Sequence, residues 1–79
     1  MNEYTFARRT SDLPDDVDWQ RTFKANSYHE ALQMAADYWF SGVRVGDSTT
    51  DQNGVITLLE AGTSQGWGGN VIGTLMNRN

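Results

Sequence analysis

The chain has 79 residues, no cysteine, and ten acidic side chains against six basic ones, a formal net charge of −4. That length holds one domain, residues 1–79, and the missing cysteine excludes disulfide staples and thiolate metal sites, leaving a reducing compartment as the default. The acidic balance argues against nucleic acid as a direct ligand, because neutralising phosphates calls for a surplus of lysine and arginine, but it permits a basic protein as partner.

The first ten residues, MNEYTFARRT, hold no apolar stretch of the kind a secretory signal needs. No run approaches the roughly 20 apolar residues of a membrane span, so a cytoplasmic protein without membrane contact is expected. Tyr4 to Arg9 alternates, with Tyr4, Phe6 and Arg8 on one side and Thr5, Ala7 and Arg9 on the other, which predicts a first strand. Ser11 to Asp18, SDLPDDVD, holds the only proline and four aspartates and reads as a loop that Leu13 and Val17 could pin to the body. Trp19 to Ala25 alternates again, with Trp19, Phe23 and Ala25 on the face that includes Arg21. The two strands make a hairpin with a long acidic connection.

Ser27 to Phe40, SYHEALQMAADYWF, predicts a helix. Ser27 can accept from the Glu30 amide while Glu30 reaches back, the reciprocal arrangement of a capping box. At about 100° per residue, Tyr28, Ala31, Leu32, Ala35, Ala36, Tyr38 and Trp39 share one side, with Met34 at its edge. His29, Glu30, Gln33 and Asp37 fall in the opposite arc, and Phe40 breaks the pattern by projecting near them at a fraying end. Gly42 can take the positive φ that closes the helix. So wide an apolar arc needs a sheet face beneath it.

A strand beginning at Val43 to Val45 and running to Thr49 or Thr50 follows. Asp51-Gln52-Asn53-Gly54 contains Asn-Gly, a strong hairpin signal, and Val55 to Glu60 is rich in strand formers. Gly62 to Gly69, GTSQGWGG, reads as a flexible loop around Trp67; Asn70 to Met76 supplies a last strand weakened by Gly73, and Asn77 to Asn79 should fray. The order ββαβββ gives an α+β fold, a single antiparallel sheet of about five strands with one helix packed on one face. The strand order within the sheet does not follow from these patterns. Val55 and Leu59 point one way and Ile56 and Leu58 the other, so the face without the helix must be covered by loops, a second copy or a partner.

Two surfaces are candidates for binding. Asp12, Asp15, Asp16 and Asp18 fall within seven residues, and extended chain advances about 3.3 Å per residue, so these carboxylates can repeat at spacings comparable to phosphates on a nucleic-acid strand. The segment could therefore occupy a basic groove built for nucleic acid, or it could be a solvated turn. A calcium loop is a third reading, although DLPDDVD lacks the glycine and distal glutamate of one. Trp67 is the second candidate, as an interface anchor on a glycine-rich tip, the alternative being that it folds onto the sheet edge. That glycine loop lacks the Gly-Lys-Ser/Thr and following helix of a phosphate site. His29 stands alone and reads as solvated, and nothing in the spacing favours a two-carboxylate site built from Glu60 and an aspartate. Arg8 and Arg9 are expected to pair with the aspartate loop. No cofactor, metal or catalytic residue is expected.

FKANSYHEALQMAADYW resembles the strand, serine cap and helix unit common in small bacterial and phage α+β domains. With its small size, acidity and lack of cysteine, the whole chain resembles the phage-encoded inhibitors of host defence, the anti-CRISPR proteins. That resemblance implies a non-enzymatic inhibitor in the host bacterial cytoplasm, blocking a CRISPR-type nucleic-acid-binding protein complex at a basic surface. The class has no shared signature, so no functional residue carries over. The rival expectation is a small structural module that homodimerises or docks through its uncovered sheet face.

Overall fold

The structure is a computed structural model that describes residues 1–9, 17–62 and 70–78, with backbone alone at 17–19. Ser27 has extended backbone (φ −147°, ψ 163°) and its Oγ accepts the Glu30 amide at 3.2 Å, so helix α1 (Tyr28–Trp39) starts at the cap signal. Among the described residues no bond returns from the Ser27 amide to the Glu30 carboxylate, so half of the expected capping box is made. Ser41 and Gly42 both take positive φ, and the Gly42 amide donates to the Ala36 carbonyl, which closes the helix.

Five strands form one antiparallel sheet: β1 (Asn2–Arg9), β2 (Val17–Ala25), β3 (Val45–Thr50), β4 (Val55–Glu60) and β5 (Val71–Asn77). Their spatial order is β2-β1-β5-β4-β3, which puts the first and last strands at the centre and β2 and β3 at the borders. The Asn-Gly signal marks the β3–β4 turn, where Asp51 Oδ1 accepts from the Asn53 and Val55 amides and Gly54 has φ 83°. Several boundaries differ from expectation, with β1 beginning at Asn2 rather than Tyr4 and β5 at Val71 rather than Asn70. Val17 and Asp18 belong to β2 rather than to the preceding loop, and β3 starts at Val45, after Val43. Asn77, expected to fray, pairs with Phe6, and the Arg78 amide donates to the Thr5 carbonyl.

Alternation along the strands decides which side chains meet the helix. Phe6, Phe23, Ala25, Val45, Ile56, Leu58 and Leu75 form one buried cluster with Ala31, Leu32, Ala35 and Ala36 of α1. The three alanines let the helix backbone approach the sheet, while Leu32 fills the middle. Tyr28 and Tyr38, expected on the inner side, stand instead at its margin and are partly exposed. Tyr28 meets Tyr4 and Phe6 edge-on, and Trp39 meets Phe23 at 5.7 Å and 78°, so aromatic pairs hold both ends of the helix over β1 and β2.

Two side chains of the polar arc are recruited inward. Phe40, expected near solvent, is half-buried against the core, and its ring lies on Gly73: a Cβ there would sit 2.5 Å from Phe40 Cε1. The missing side chain that weakens β5 in isolation is the slot that accepts the ring. Gln33 donates to the Val43 carbonyl at 3.1 Å and accepts from the Val45 amide at 2.9 Å. Its amide thereby serves main-chain groups of the α1–β3 connection that would otherwise be left without partners.

Candidate binding surface at the β2 border

The helix lies toward β2 and leaves a groove of about 440 Å³ between that border strand and its own polar margin. Arg21 of β2 faces Met34, Asp37 and Tyr38 of α1 across it, and Thr22, Phe23 and Lys24 complete the lining. Arg21 shares the inward face with Phe23 and Ala25, yet it is exposed, because β2 has no further strand outside it. Its guanidinium carbon lies 4.4 Å from the centroid of the Tyr38 ring. A cation over an exposed aromatic face contributes about 0.5–1 kcal/mol, enough to set the orientation of both side chains. Tyr38 remains 42 % exposed, so the wall of the groove offers a partner an aromatic surface. Asp37 is tied back by Gln33 Nε2 at 3.2 Å.

A second hollow of about 630 Å³ lies on the other flank of α1, where His29, Glu30 and Arg44 are exposed. Among the described residues no three His, Asp or Glu side chains are grouped as metal ligands. The open face of the sheet is more polar than the strand composition suggests. Thr49, Thr57 and Thr74 stand directly opposite one another across β3, β4 and β5, and Thr5 and Thr22 share a hydroxyl bond of 2.8 Å. Among the described residues, its apolar part is a small buried cluster of Ala7, Val55 and Met76, with Leu59 and the 62 % exposed Val71 paired beyond it.

Of the residues singled out for partner binding, Asp12, Asp15, Asp16 and Trp67 lie outside the described residues, and so does any pairing of Arg8 or Arg9 with the aspartate loop. Asp18 falls in β2, where only its backbone is described. The groove was not foreseen. Its signal was Arg21 itself: a cation on the core-facing side of a strand fits only at a border, where its head reaches water. Tyr38 could not be joined to it before the strand order was known.

No family model, curated protein or solved structure matches the chain. No helix among the described residues is long and apolar enough to cross a membrane.

Proposed function

We propose that this chain is a non-enzymatic binding protein that inhibits a nucleic-acid-binding protein complex by occupying a basic surface, in the manner of the anti-CRISPR proteins it resembles. The observation that carries the reading is where the acidic run falls in the chain. Asp12, Asp15 and Asp16 lead directly into β2, Asp18 is part of it, and β2 is a border strand that a partner reaches without displacing any other strand. Complementary charge at such a place steers encounter and fixes the register of docking.

Replacing Asp15, Asp16 and Asp18 together by asparagine tests it. Asparagine keeps the shape of aspartate, and circular dichroism should show that the variant folds. Titrated into a purified CRISPR surveillance complex, it should associate more slowly than the unaltered chain. Raising salt from low to physiological should weaken the unaltered chain more than the variant, because exposed charges are screened beyond about 8–10 Å. Equal affinity and equal salt dependence for two folded proteins would reject the aspartate run as the binding surface.

A further inference from the structure

We propose that the β2 border pairs antiparallel with β2 of a second copy of this chain, forming a dimer with one continuous sheet. This inference does not rest on the inhibitor reading, whose partner would compete with the second copy for the same border, and its experiments contain no other protein. A border strand of an antiparallel sheet leaves alternate amides and carbonyls without strand partners, and proteins ordinarily blunt such borders. The two borders here are treated differently. β3 has six residues and is interrupted at Gly46, where its register with β4 shifts and a Cβ would lie 2.7 Å from the Ala61 backbone. β2 has nine, and from Gln20 to Ala25 it runs against Ala7 to Asn2 of β1 without irregularity. Gln20, Arg21, Thr22 and Lys24 of that run are exposed.

Charge decides what this border accepts. Along β2 the acid comes first, at Asp18, and the bases follow, at Arg21 and Lys24. An antiparallel partner of the same sequence runs the other way, so the acidic start of each strand meets the basic end of the other, twice. With Arg21 on the two-fold axis, Asp18 of one copy falls opposite Lys24 of the other. The β1–β2 irregularity between Val17 and Gln20 can offset this by a residue, but attraction persists over a screening length of about 8–10 Å. Arg21 would face its own copy on the axis, and its guanidinium is already folded over Tyr38. The two-fold stands perpendicular to the sheet, so both helices lie on one side of it. Tyr38 and Met34 of each copy then flank the seam along the groove.

The test measures self-association by sedimentation equilibrium, with circular dichroism to confirm folding. The unaltered chain should dimerise. Asp18→Lys alone and Lys24→Asp alone each set like charges opposite one another and should raise the dissociation constant about tenfold or more. An equimolar mixture of the two variants restores both opposite-charge pairs and should dimerise again. Arg21→Cys gives a second, independent reading. Directly opposed residues lie about 4.5–5.5 Å apart, within disulfide reach, and the chain has no other cysteine, so mild oxidation should yield a single cross-linked dimer. A chain that stays monomeric overturns the proposal. So does a dimer indifferent to both charge variants, as one formed through the open sheet face would be, or a mixture of folded variants that fails to associate. Should either charge variant not fold, the presence or absence of the cross-link decides.

Discussion

On the helix side of the sheet, Phe6, Ile56, Leu58 and Leu75 are buried beneath Leu32 and the alanines of α1; on the other side the same strands present Thr5, Thr22, Thr49, Thr57 and Thr74 around the small Ala7, Val55 and Met76 cluster. Both faces are rich in strand-forming residues, but they use them to different ends. Threonine keeps the β-branched shape that suits a pleated surface and adds a hydroxyl that water can serve. A strand that reads as favourable throughout therefore need not be covered on both sides. Among the described residues, the threonines of this sheet are strand formers that tolerate solvent.

That contrast can be broken from the covered side first. Leu32→Ala should cost about 2–5 kcal/mol in a urea titration, a large share of what so small a domain holds. A loss under about 1 kcal/mol would mean that the helix does not seal this face. Gly73→Ala should cost about 1–3 kcal/mol, because the new methyl displaces the Phe40 ring. Combined with Phe40→Ala, the same change should cost much less, and strict additivity of the two would show that the ring does not occupy the slot. The open face supplies the smallest effect: Thr57→Ala should cost only about 0.2–1 kcal/mol, the size of a cross-strand pair. If it cost as much as Leu32→Ala, the threonine row would be core, and the two faces would not differ.

What the sequence disclosed about this fold was mostly local. Ser27 and Gly42 bracket the helix, Asn53-Gly54 marks a turn, and period-two runs mark strands, since each signal depends on neighbours a few residues away. The strand order was hidden because no local pattern tells β1 that β5 lies beside it. Asn77 looked like a fraying end for the same reason: its partner, Phe6, is at the other end of the chain. Phe40 was misplaced because helical periodicity sorts side chains into an inner and an outer arc and cannot show that Gly73 has left a slot; Gln33 lies in the polar arc as expected, but periodicity cannot show its bonds to Val43 and Val45. At the binding surface, Arg21 was visible as an oddity, whereas its contact with Tyr38 depends on tertiary packing.

The central position of β1 and β5 has a consequence for how the molecule is made. The β1–β2 hairpin and the β3–β4–β5 meander each join strands that are neighbours in sequence, and hairpins form in about 1–10 μs. They are welded where Phe6, Ala7 and Arg8 meet Asn77, Met76 and Leu75, and that closure carries the entropy of the long stretch of chain between them. On the ribosome, one side of β1 thus waits unpaired until β5 has cleared the exit tunnel. During that interval Phe6 and Ala7 lie on an open strand edge, and the nascent chain is then at its most vulnerable to sticking to another.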